Sequence, residues 1–309
     1  MVAVDPNGAY SEVRQVCVDA PDDAPANCSL IRHSKAPQFA ESERLLDSHL
    51  DDIATAIETY RVQRERSGAD FRGVLFFIHG GLNTEQARFR RVVEDSDRVR
   101  DFGYYPIFIG WESGGHQKKK GRVAGKSGRR VPALPITLVG HSMGTIVINQ
   151  ILHSYPEIEL RNVVYMASAA SVGETADAIY PYLAAHPQAS FYSLMLHPYA
   201  DRGERSLYGL FPSGSLLWWI DEMFGNPVTR TDRTVGKWEN VADLIYKVPP
   251  ELADERGASR VHVTVCGFDR KCGEPGADPD RCDPYFDHPV RHGDFSKRDY
   301  RDPIFWGER

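Results

Sequence analysis

Six short apolar runs constrain this chain more than any other feature of its sequence. They are VLFFIHGG (74–81), YYPIFIGW (104–111), ITLVGHS (136–142), VVYMASA (163–169), FYSLMLH (191–197) and VHVTVCGF (261–268). Continuous apolar runs this short, stopped by glycine or small polar residues, are what strands of a parallel sheet look like when both faces are covered. Helical patterns lie between several of them: a polar, arginine-rich stretch at 84–101, then MGTIVINQILHS (143–154) and ETADAIYPYLAAH (174–186). Upstream, Leu46, Leu50, Ile53, Ile57 and Tyr60 recur at three- and four-residue spacing, which predicts an amphipathic helix over 45–66, ended by Ser67-Gly68. Strands alternating with helices of this length predict an α/β architecture, a mostly parallel central sheet with helices on both faces.

Three stretches do not share the alternation. Residues 1–40 are polar and scattered with prolines, and are expected as an irregular segment that wraps the domain. Residues 112–135 are dense in glycine, lysine and arginine, and are expected as an excursion of the chain. The GKS at 125–127 lacks both the preceding strand and the glycine that a phosphate loop requires, since Lys120 stands five places before Gly125. A long insertion spans about 199–258, and no linker divides the chain beyond residue 40, so 41–309 reads as one elaborated domain. Inside the insertion, SLLWWIDEMF (215–224) is apolar enough for a lid or an acyl-binding wall, or for a helix packed on the domain's own core.

Charge and composition narrow the partners. The 309 residues carry a net charge of −6 with a pI of about 6.0, which gives no electrostatic reason to expect nucleic acid. No apolar run reaches the roughly 18–20 residues needed to cross a bilayer, and MVAVDPNGAY lacks the basic flank and apolar stretch of a secretory signal. Cys17 and Cys28 bracket one polar segment, Cys272 and Cys282 another, and Cys266 sits alone in a strand. Two local disulfides in an oxidising compartment and five reduced thiols in the cytosol both fit that spacing, so location stays open. The late Cys/His-rich tail has no Cys knuckle of the kind that holds zinc, and the acidic loop 274–287 matches no EF-hand. No metal or other cofactor is called for.

The most informative pattern is Gly140-His141-Ser142-Met143-Gly144, a G-x-S-x-G set between the end of ITLV and the start of an apolar helix. A strand–turn–helix of this kind lifts the serine hydroxyl above the sheet in a strained turn that only glycine tolerates on either side. The helix after it points unsatisfied N–H groups at the same place, where negative charge is stabilised. His79-Gly80-Gly81 ends an earlier strand, and small residues there let the backbone approach a reacting carbonyl. The N–H groups of Gly81 and Met143 are the expected oxyanion hole. His79 is expected to be structural, and His141 lies on the wrong side of the turn to serve as base to Ser142.

With these motifs the chain resembles the α/β-hydrolase superfamily of esterases and lipases. The resemblance rests on VLFFIHGGLN (74–83), ITLVGHSMG (136–144) and HGDF (292–295), and spans roughly residues 74–300. It implies an α/β-hydrolase fold with an inserted lid-like segment and the chain order nucleophile, acid, histidine. It also implies a serine hydrolase that cleaves a small-molecule carboxylic ester through an acyl-enzyme intermediate. Amides, thioesters and acyl transfer use the same apparatus, and a non-catalytic binding protein on the same fold is the alternative of another class.

A serine hydroxyl needs an imidazole to take its proton and a carboxylate to orient that imidazole. For the base, His262 falls inside a strand and His288 precedes a proline, whereas His292 precedes Gly293, which permits a sharp turn that Phe295 can anchor. His292 is therefore preferred, and the resemblance favours it too. For the acid, the family pattern points just beyond FYSLMLH, to Asp201, with Glu204 and Asp269 as rivals.

Overall fold

The computed structural model describes residues 2–4, 10–11, 13–18, 27–32, 39–80, 92, 95–111, 134–204, 213–243, 252, 259–266, 289 and 291–296. Its architecture is α/β. Strands β1 (Val2–Val4), β2 (Tyr10–Ser11), β3 (Val13–Val18), β4 (Asn27–Arg32), β5 (Gly73–Ile78) and β6 (Tyr104–Trp111) precede β7 (Ile136–His141), β8 (Asn162–Met166), β9 (Ser190–Leu196) and β10 (Val261–Cys266). The main sheet has the order β10-β9-β8-β7-β5-β6-β1-β2, and the six strands from β10 to β6 form an all-parallel sheet. All six apolar runs of the sequence are strands. The parallel arrangement agrees with their connections, which are too long for hairpins.

The chain divides into two compact units, Met1–Phe77 with Gly81–Ile136, and Ile78–Gly80 with Thr137–Arg309. In the first, the helix Phe39–Arg66 runs for 28 residues and begins earlier than the periodicity predicts. Its Ile57 packs with Val74 and Ile107, and Ile53, Phe71, Phe76, Tyr105 and Leu134 close around them. Tyr60 sets its ring edge-on to Phe71 and Tyr105 and donates its hydroxyl to the Arg100 carbonyl at 2.6 Å. The segment 1–40, expected as irregular, holds four strands among its described residues. β1 lies parallel to β6, and β3 pairs antiparallel with β4 in a register that puts Cys17 across from Cys28. The reason is local: VRQVCV and NCSLIR are short and partly polar, yet the β-branched and apolar residues in them are enough for a two-stranded ladder.

In the second unit β7, β8, β9 and β10 pair in parallel register, with Val163 across from Leu138 and Phe191, and Phe191 across from Val261. Val163, Val164, Tyr165 and Met166 are fully buried, the valines and the methionine each stabilising the fold by about 1.5–3 kcal/mol on area grounds. β10 is the edge strand, so its residues alternate between half-buried and exposed. The helix Gly144–Ser154 buries Gly144, Thr145, Ile148, Asn149 and Leu152, one stripe at helical spacing. The helix Val172–Ala185 opens on a capping box of Ser171 and Glu174. Its far end is closed by Arg260, whose buried guanidinium donates to the carbonyls of Leu183, His186 and Ala189 at 2.9–3.0 Å. Cation and carbonyls match there, since a helix C-terminus carries unpaired acceptors and partial negative charge.

Candidate active site

The turn between β7 and the helix Gly144–Ser154 carries Ser142 at φ +54°, a left-handed conformation uncommon for a side chain. Backbone bonds on both sides hold it there. Ser142 N–H donates to the Met166 carbonyl at 2.9 Å, and the Ser142 carbonyl accepts from the N–H groups of Thr145 at 3.1 Å and Ala169 at 3.2 Å. The Thr145 hydroxyl adds a third bond to that carbonyl at 2.7 Å and meets Ser168 Oγ at 2.7 Å. Two neighbouring glycines are there for want of space. A Cβ on Gly144 would overlap the Ile78 carbonyl oxygen, and one on Gly80 would come within 2.8 Å of the Ser142 Cβ. Gly80 thus serves the serine's own placement, a use of the HGG motif that the sequence does not suggest.

His292 opens the 3₁₀ turn His292–Ser296, which the fully buried Phe295 anchors. Its Nε2 lies 3.0 Å from Ser142 Oγ. Both residues are buried, Ser142 to 2% exposure. Burial pushes the His292 imidazole down to a pKa of about 4, because the charged form is poorly solvated, so the ring is neutral at pH 7. Its backbone is gripped at both ends. The N–H donates to Glu204 Oε2 at 2.8 Å, and the carbonyl accepts from His141 Nε2 at 3.1 Å, with the two imidazole rings 5.1 Å apart. His292 Nδ1 is buried without a hydrogen-bond partner among the described residues.

No family model, no curated protein and no solved structure matches this chain. The chemistry of the site therefore rests on its own residues.

Asp201 is buried on the helix Pro198–Gly203, but its carboxylate makes no hydrogen bond to His292. It accepts the Ser215 hydroxyl, and the Asp201 carbonyl accepts Ser215 N–H at 2.8 Å. Burial raises its pKa, while the Ser215 bond and the nearby Lys237 ammonium pull it back. The expected pairing of Asp201 with His292 is replaced by an anchoring role. Asp201 fixes the start of the segment at 215. A second buried carboxylate, Asp221, fixes it further on by accepting from Thr234 N–H, Thr234 Oγ1 and Asn240 Nδ2 at 2.8–3.3 Å, with Lys237 Nζ at 3.6 Å. Glu204, three residues on from Asp201, is the carboxylate that touches His292.

Of the other candidates, His262 lies exposed on the edge strand with its ring stacked on Tyr192. His79 is buried and its Nδ1 donates to the Gly80 carbonyl. Met143 is the N-cap of the helix Gly144–Ser154, where N–H groups have no partner in the helix's own ladder. Gly81, His288, Asp269, Cys272, Cys282, the GKS at 125–127 and the acidic loop 274–287 lie outside the described residues. The segment 215–224 divides in two: Leu217 and Trp219 are buried, whereas Met223 and Phe224 are 53% and 68% exposed. Burial pushes the Cys266 thiol up to about 12, leaving it protonated and unreactive. Among the described residues no three His, Cys, Asp or Glu side chains gather as for a metal ion, and no described helix is long and apolar enough to cross a membrane.

Sequence reasoning misses the contacts of His141 and Thr145, and ranks Glu204 behind Asp201. A hydroxyl three residues after the serine is a usable signal, since threonine there can bond the carbonyl at the base of its own turn. Nothing in the sequence marks His141, whose partner lies 151 residues away.

Proposed function

We propose that this protein is a serine hydrolase of the α/β-hydrolase type that cleaves carboxylic esters through an acyl-enzyme intermediate. The observation that carries the reading is the 3.0 Å approach of His292 Nε2 to the hydroxyl of Ser142, on a residue held at φ +54°. A neutral imidazole at that distance accepts the hydroxyl proton as the oxygen attacks, and returns it to the leaving alkoxide. The acyl group then sits on Ser142 Oγ until water, deprotonated by the same ring, releases the acid. Charge on the tetrahedral oxygen falls to the Met143 N–H at the head of the helix, with Gly81 N–H as its expected companion. In this reading the apolar segment 215–224 is the lid-like part of the insertion.

The experiment is hydrolysis of p-nitrophenyl esters of graded chain length by the purified protein. Turnover that falls by something on the order of 10⁶ in Ser142→Ala is expected. A rate that survives the substitution removes the assignment, and an absence of turnover by the wild type on any acyl length returns the protein to the binding class.

A further inference from the structure

We infer that Glu204, rather than Asp201, is the carboxylate that orients His292, an inference that rests on the hydrolase reading above. Four features of the site converge on it. First, the imidazole has its outer nitrogen committed to Ser142 and its inner nitrogen, Nδ1, buried with no partner among the described residues. A buried N–H left unmade costs roughly 1–3 kcal/mol, and a base needs that nitrogen protonated and tied for Nε2 to be the acceptor. Second, Glu204 Oε2 already accepts from the backbone N–H of His292 at 2.8 Å. Of the two ring nitrogens Nδ1 is the one nearer the residue's own backbone, the part of His292 that Glu204 holds.

Third, the carboxylate can be re-aimed. Glutamate has three side-chain torsions, the last of them broad and soft, so its carboxylate can turn from the backbone N–H toward the ring. Hydrogen bonds of this kind are commonly long in a free enzyme and tighten with substrate bound. Fourth, of the two rival carboxylates Asp201 is occupied, taking the Ser215 hydroxyl beside Lys237, and Asp269 lies outside the described residues. Glu204 is therefore a positioning residue. It selects the Nδ1–H tautomer of His292 and faces the positive charge that the ring gains when Ser142 gives up its proton. The other titratable groups about the ring are His141, which holds the His292 carbonyl, and Arg291 and Asp294, which are bonded to one another through the Arg291 backbone.

The test compares Glu204→Gln with Asp201→Asn in the full chain, reading the rate at which a fluorophosphonate probe labels Ser142 across pH. The expected result is a loss on the order of 10⁴-fold in Glu204→Gln, as for removal of a tautomer-fixing carboxylate. The acid limb of the pH profile should also move to lower pH, because the carboxylate favours the protonated ring. Asp201→Asn is expected to lower the melting temperature while keeping the labelling rate within about tenfold, a single buried hydrogen bond's worth. A purely structural Glu204 would leave the acid limb where it is. If Glu204→Gln folds poorly, Glu204→Asp replaces it: a slower rate with an acid limb moved to lower pH supports the inference, and a wild-type rate or an unmoved acid limb overturns it. Loss in Asp201→Asn with retention in Glu204→Gln also overturns it. A wild-type protein that never labels at Ser142 fails the hydrolase reading instead, so the two failures are distinct.

Discussion

The turn that carries Ser142 and the turn that carries His292 are built from different materials. Around Ser142 the restraints are backbone and sterics: a carbonyl that accepts three hydrogen bonds, an N–H tied to Met166, and glycines where any side chain would collide. Around His292 they are side chains brought from far away in the sequence, Glu204 on the N–H and His141 on the carbonyl, with Phe295 as the apolar anchor. The first kind of restraint tolerates almost no substitution, because nothing flexible is available to give way. The second is adjustable, since each tie is one hydrogen bond. In the proposed reaction these are the different demands of a nucleophile that must stay strained and a base that must track a moving proton.

The largest effect that separates the two turns is expected from Gly144→Ala. Its Cβ would run into the Ile78 carbonyl, so the strand and the helix must separate. The expected cost is about 1–3 kcal/mol of stability, as for overpacked cores, together with loss of turnover. Thermal unfolding and ester hydrolysis measure the two parts, and an unchanged melting temperature would show that the glycine is not needed for closeness. A smaller effect is expected at His141. Removing its ring in His141→Ala frees the His292 carbonyl, and turnover should fall by something on the order of tenfold, the worth of one hydrogen bond. Wild-type kinetics in that variant would break the idea that His292 is gripped from both sides.

The pH profile sharpens the comparison. With its pKa pushed down to about 4 by burial, His292 stays neutral and able to accept a proton well below the ordinary histidine value of about 6.5. As pH falls, kcat/KM should hold through about pH 6 and decline only as the ring charges near pH 4; an acid limb at the ordinary value would mean that the ring is solvated. The smallest effect is expected from Gly293→Ala. Its Cβ would meet nothing within 4 Å and its φ is not in the left-handed region, so activity and stability should stay near those of the wild type.

Gly293 also shows that a residue can be found in the sequence for a reason its structure does not use. The preference for His292 rests on the sharp turn that Gly293 permits, yet the turn is made by Phe295, Arg291 and Asp294 without that freedom. The strands of the sheet are legible because apolar runs of that length leave few alternatives, and the Ser142 turn because its glycines are demanded by local sterics. The choice between Asp201 and Glu204 is not legible. The two stand three residues apart about one short helix, and which of them meets the histidine depends on where a segment 88 residues further on passes. β3 and β4 escape a sequence reading for the opposite reason, since their polar positions dilute an alternation too brief to stand out.

The most direct test of the whole account is covalent labelling of the purified protein by a fluorophosphonate, with the modified peptide located by mass spectrometry. One label per chain on Ser142, abolished in both Ser142→Ala and His292→Ala, is the result expected. A protein that takes no label, or takes it on another residue at the same rate after Ser142 is replaced, would contradict the account.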